Sequence, residues 1–194
     1  MLLLIDNYDS FSHILADYFL QMGVELKIFR NDVPISELID QSYEGLILSP
    51  GPETPAKAGN LMQILEHFHS KIPVLGVCLG HQAIGEFFGA SLVKSSEPVH
   101  GKVHSVNIVT QNVLLKNLPE RFDVTRYHSL ELKDLPDTLE ILLETDSGAV
   151  MAISHRTLPI FGIQFHPEAY LTQFGREIIG NWLGVVKNRI YFEV

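Results

Sequence analysis

The chain has 194 residues, 46% of them hydrophobic, enough to bury a sizeable core in one domain. Its formal net charge of −9, with Lys and Arg scattered, argues against a surface that tracks nucleic-acid phosphates. One cysteine cannot form an internal disulfide. No stretch approaches the roughly 18 apolar residues of a membrane span, and "MLLLIDNYDS" lacks a basic leader, so a cytoplasmic protein with no membrane or nucleic-acid partner is expected.

The first half alternates strand and helix. "LLLI" (2–5) reads as a strand buried on both faces. Phe11, Ile14, Leu15, Tyr18, Phe19 and Met22 then recur at helical spacing, with Ser10 or Asp9 as the start cap and Gly23 as the stop. "ELKIF" (25–29) is the second strand, "PISELID" a short helix and "GLILS" (45–49) the third strand. A loop dense in Pro and Gly follows, then a helix over 59–69, a strand "PVLGV" (73–77) and a helix "HQAIGEFFG". Such alternation predicts an α/β, doubly wound, mostly parallel sheet, its ligands held beyond the carboxyl ends of the strands. The second half adds strands at 103–109, 122–130, 139–145, 150–155 and 160–165, and a helix over 170–183. With no linker, repeat or charge block, 1–194 reads as one domain.

Three strand ends carry residues suited to chemistry. "GVCLGHQ" places Cys78 between Gly76 and Gly80, the spacing of a nucleophile elbow. The following helix would aim its positive end at the sulfur and favour thiolate, and the Leu79 N–H could bind an oxyanion. A buried, inert thiol in a tight turn fits this segment equally well. "FHPE" supplies a base: Pro167 favours extended backbone at His166, so Glu168 projects to the same side and can orient the imidazole. "LSPGP" sets Gly51 between Pro50 and Pro52, where its N–H could be a second oxyanion donor or the segment a plain turn. "RYHSL" (126–130) ends a strand with backbone an extended substrate could pair against. His13, His67, His69 and His155 lack a comparable context, and His100 and His104 have no carboxylate or cysteine at ligand spacing, so no metal site is expected.

Together these segments resemble the class I, triad-bearing glutamine amidotransferases over essentially the whole chain. "LLIDNYDSF", "LSPGP", "HGK" (100–102) and "RYHSL" are similar to the branch holding the glutaminase subunits of anthranilate and aminodeoxychorismate synthases. The resemblance implies a flavodoxin-like core with extra antiparallel strands in the second half. It implies that Cys78 attacks the side-chain amide of L-glutamine, that His166 moves the proton and that Glu168 orients it. Gly51 and Leu79 would hold the oxyanion, and Pro50, Pro52, Gln82, Ser129 and Leu130 would help seat the substrate. No metal or organic cofactor is implied.

The acceptor of the ammonia would be a chorismate-binding synthase subunit on a separate chain, with His100, Gly101 and Lys102 expected at that interface. Two departures stand out: Ala169 replaces the usual Ser after "HPE", and Ser12-His13-Ile14 replaces a usual Thr-Tyr-Asn. A cysteine peptidase of similar fold, or a flavodoxin-like anion-binding protein, are the rival readings.

Overall fold

The computed structural model describes residues 1–95 and 98–188. Its order is β1 (Leu2–Asp6), α1 (Phe11–Gln21), β2 (Leu26–Arg30), β3 (Leu46–Leu48), α2 (Leu61–Phe68), β4 (Val74–Val77), α3 (Leu79–Phe88) and β5 (Ser91–Lys94). The second half adds β6 (Lys102–Ile108), β7 (Arg121–Arg126), β8 (Leu130–Lys133), β9 (Leu139–Thr145), β10 (Val150–His155), β11 (Ile160–Ile163) and α4 (Gly175–Asn188). "PISELID" yields only a 3-10 turn at Ile35–Glu37.

Nine strands form one sheet in the order β2-β1-β3-β4-β11-β10-β9-β6-β7. The pairs from β2 through to β11 are parallel, and those beyond β11 are antiparallel. The inner parallel strands β1, β3, β4 and β11 read as unbroken apolar runs because both faces are covered, whereas the edge strand β2 carries Lys27 and Arg30 and is partly exposed. Side chains alternate across the sheet: Leu2, Leu4, Ile47 and Leu75 pack against Leu15 and Phe19 of α1 and Ile178 and Trp182 of α4. Leu3, Ile5, Leu46 and Leu48 meet Leu61 and Ile64 of α2 and Ala83 and Ile84 of α3 on the other face. Each such fully buried aliphatic side chain contributes roughly 1.5–3 kcal/mol. Asp9, rather than Ser10, supplies the cap of α1, its Oδ1 accepting from the Phe11 N–H at 2.8 Å.

Two elements differ from the sequence-based expectation. The strand expected over 122–130 splits: β7 ends at Arg126, and β8 pairs with β5 in a separate two-stranded sheet. Between them, 126–129 is zipped to the preceding loop by Ser95 N–H to Ser129 O, Val99 N–H to His128 O and Gly101 N–H to Arg126 O. The last helix begins at Gly175 rather than at residue 170. Residues after the His–Glu segment wind through turns instead, because the Thr172 hydroxyl is engaged twice. It donates to the His166 carbonyl at 2.7 Å and accepts from the Thr125 N–H at 3.0 Å.

Candidate active site

The carboxyl ends of β1, β3, β4 and β11 converge at the point where the chain turns from one side of β1 to the other, the usual ligand crevice of such a sheet. Cys78 follows β4 and caps α3 with φ 51° and ψ −99°, a conformation rare outside glycine. Gly76 and Gly80 make this elbow possible. A Cβ on Gly76 would lie 2.4 Å from the Gly80 backbone, and one on Gly80 2.3 Å from the Leu48 carbonyl. The first helical bond runs from the Gln82 N–H to the Cys78 carbonyl. The Leu79 amide therefore belongs to the orphan donors of the first turn, beside the sulfur.

His166 and Glu168 follow β11, the parallel neighbour of β4. Both are buried, and His166 Nδ1 lies 2.7 Å from Glu168 Oε1. The opposite ring atom, Nε2, has no partner of hydrogen-bond geometry among the described residues, yet the Cys78 sulfur is near enough to act on the ring. Burial pulls the His166 pKa down, but the nearby Cys78 sulfur and the hydrogen-bonded, charged Glu168 carboxylate outweigh it and push it up to about 10. The ring thus favours its protonated form, with Nε2 turned to the Cys78 side of the site. Phe11 and Tyr127 pack on it at centroid distances of 4.8 and 5.1 Å.

Gly51 closes the crevice. A Cβ there would lie 2.4 Å from Leu79 Cδ2 and 2.5 Å from Asn7 Cβ, so only glycine lets this peptide approach the first turn of α3. The loop is held from behind. Asn7 donates from its backbone to Ser49 Oγ at 2.9 Å and from its side chain to the Ser49 carbonyl at 2.8 Å. Asn31 donates to Asn7 Oδ1, and Ser12 to Ser49 Oγ. Ser12, one of the departures, thus keeps a hydroxyl where the network needs one. At the other departure, Ala169 is buried and its N–H reaches the His166 carbonyl.

A hollow of about 140 Å³ is lined by Gly51, Pro52, Glu53, Cys78, Gln82, Tyr127, His128, Ser129 and Leu130. It joins Cys78 to four of the expected substrate contacts besides Gly51, namely Pro52, Gln82, Ser129 and Leu130. Pro50 is buried behind the loop, its carbonyl accepting from Ser49 Oγ. His100, Gly101 and Lys102 lie exposed on the same rim. The His100 ring stands edge-on to Tyr127 at 5.4 Å, and the Gly101 N–H donates to Arg126 O. Two larger hollows, about 320 and 440 Å³, sit at the amino ends of the strands around Val24 and Tyr43 and hold none of these groups.

Sequence reasoning missed several supporting residues. His128 stays neutral, pushed down to about 4 by burial and by Arg126. Its Nε2 therefore accepts from Arg126 Nε at 3.0 Å while Nδ1–H donates to the Leu130 carbonyl at 2.8 Å. Gln164, wholly buried, donates to Cys78 Sγ at 3.6 Å. Neither carries a local spacing signal; both are defined by partners that the fold brings in.

Residues 3–185 match the family described as Glutamine amidotransferase class-I. The chain belongs to the class I glutamine amidotransferases. This amidotransferase is 46% identical to anthranilate synthase component 2 of Azospirillum brasilense, over 96% of this chain and 97% of that protein. It is 41% identical to aminodeoxychorismate synthase component 2 of Klebsiella aerogenes, over 94% and 99% of the two chains. It is 40% identical to the aminodeoxychorismate/anthranilate synthase component 2 of Bacillus subtilis, over 98% and 99%. Among solved structures, a protein from Thermoplasma acidophilum described as a GMP synthase subunit superposes with a TM-score of 0.87 at 31% identity, covering 98% of this chain and 96% of that one. The mixed sheet, parallel at its core, agrees with that likeness.

Proposed function

We propose that this amidotransferase works as a single glutaminase domain for a chorismate-aminating synthase, with Cys78, His166 and Glu168 as its triad. The observation that carries the reading is the buried His166–Glu168 pair at 2.7 Å, set beside a thiol on a strained strand-to-helix turn. The Cys78 thiol gives its proton to His166, and the sulfur bonds to the amide carbon of L-glutamine. The carbonyl electrons move onto oxygen, where the Gly51 and Leu79 N–H groups meet them. As the tetrahedral adduct collapses, the C–N bond breaks and the nitrogen takes a proton from His166, leaving as ammonia. Water then adds to the thioester, giving a proton back to His166, and the C–S bond breaks to release glutamate. Gln82 and the backbone at Ser129 and Leu130 seat the amino-acid end of the substrate. No metal or organic cofactor takes part.

Ammonia is useful only beside an acceptor, and the component 2 names of the relatives support a partner that binds chorismate on a separate chain. His100, Gly101 and Lys102 form part of that docking rim. Tyr170, 96% exposed just after the His–Glu segment, adds an apolar contact that a partner would cover. The Azospirillum likeness favours anthranilate as the product, with aminodeoxychorismate, or both, as the alternative. Pairing the chain with each type of component I and assaying glutamine-dependent product decides between them. Cys78→Ala is expected to abolish glutamine-dependent synthesis while ammonia-dependent synthesis persists. Retained glutamine use in that variant would sink the reading.

A further inference from the structure

Gln164 stands directly after β11, two residues before His166, and none of it is exposed. Burying a carboxamide is unfavourable unless its polar atoms are bonded. A side chain kept here only to fill space would be apolar. Its bonds form a directed chain instead. Gln82 Nε2 faces the Leu130 carbonyl at 3.4 Å, and a carbonyl can only accept, so that end of Gln82 is the NH2 group. The same NH2 lies 3.2 Å from Gln164 at the end that must then be Oε1. The orientation of Gln164 follows: its NH2 is turned to Cys78 Sγ, 3.6 Å away. His128 Nδ1–H donates to the same Leu130 carbonyl, so the far end of the chain is anchored in the substrate edge.

We propose that Gln164 is the positioning residue of the nucleophile: its carboxamide holds the Cys78 sulfur, stabilises it as thiolate and registers it, through Gln82, against the edge that receives glutamine. A thiolate accepts hydrogen bonds well and a thiol accepts them poorly, so the donated bond favours the reactive form. Of the titratable groups around the sulfur, His166 reaches it from the loop after β11 with Glu168 behind the ring, and Glu53 and His128 line the same hollow. Gln164 reaches it from the end of β11 itself. The sulfur is thereby held from two directions, by a proton-transfer group and by one that never titrates.

The proposal rests on Cys78 being the nucleophile, and its test reads the sulfur rather than turnover. Cys78 is the only cysteine, so iodoacetamide labelling of the whole chain reports on it alone. Gln164→Met keeps the shape and removes the donor. Its alkylation rate at neutral pH is expected to fall about 10- to 100-fold, with the rate–pH profile displaced to the alkaline side. Gln164→Leu, which also lacks a donor, should displace the profile in the same direction. Either variant, folded by its circular-dichroism melt and labelled with the wild-type rate and profile, overturns the proposal. The wild-type protein gives a third reading without any substitution. The Gln164 side-chain NH2 resonances should shift when Cys78 is alkylated, and unmoved resonances count against it. If wild type fails to hydrolyse glutamine in its complex, the glutaminase reading falls while the labelling result still judges Gln164.

Discussion

Burial alone would strip His166 of its proton, and the Cys78 sulfur and the Glu168 carboxylate reverse that, lifting it to about 10. An unfolded histidine titrates near roughly 6.5. Below that pH both states carry the proton and the stabilising contribution is complete. Between the two values only the folded state keeps it, so this contribution falls as pH rises and is gone above about 10. Glu168→Gln removes the charge that holds the ring's orientation. The His166 titration followed by NMR should move to lower pH, and glutamine hydrolysis should fall about 10- to 100-fold. An unmoved titration contradicts the role given to Glu168. Residues of this kind differ in how far they can be read from the chain. Cys78 and the His166–Glu168 pair announce themselves because glycines, proline and acid lie within a few positions. Gln164 does not, because its meaning depends on a sulfur 86 residues away.

At the scale of elements, the site depends on how closely α3 lies against β3 and β4. The Gly80 position leaves only 2.3 Å to the Leu48 carbonyl, and backbone cannot step aside as a flexible side chain can. Gly80→Ala should therefore cost at least about 1–3 kcal/mol in urea unfolding and slow Cys78 labelling, since the elbow must open. Wild-type stability in this variant would show that the helix can shift without loss. The parallel strands were legible because two covered faces make continuous apolar runs. The split after Arg126 and the late start of α4 were not. The first arises because 126–129 pairs with Ser95, Val99 and Gly101, the second because Thr172 bonds the carbonyl of His166 and the N–H of Thr125. Local periodicity carries no trace of either partner.

Across the whole molecule, chemistry is concentrated at one end of the sheet. The hollows at the opposite end are larger, but neither Cys78 nor His166 lines them. The rim that carries Cys78, His166 and Glu168 also carries the exposed His100, Gly101, Lys102 and Tyr170. Tyr127 touches both His100 and His166, so under the proposed docking a partner on this rim would press on the ring that packs against His166. Lys102→Glu is expected to weaken the complex with component I at least about tenfold while leaving Cys78 labelling of the free chain unchanged. Undiminished affinity, measured by calorimetry, would remove Lys102 from the interface. The order of strands and helices, the elbow and the His–Glu pair were determined by sequence, because each depends on residues that are neighbours along the chain. Tertiary structure alone decided that Gly51 meets Leu79, that Asn7, Ser12 and Asn31 brace the Ser49 loop, and that Gln164 faces the sulfur. Those contacts join strand ends far apart in sequence, and only the crossover connections of the sheet bring them within bonding distance.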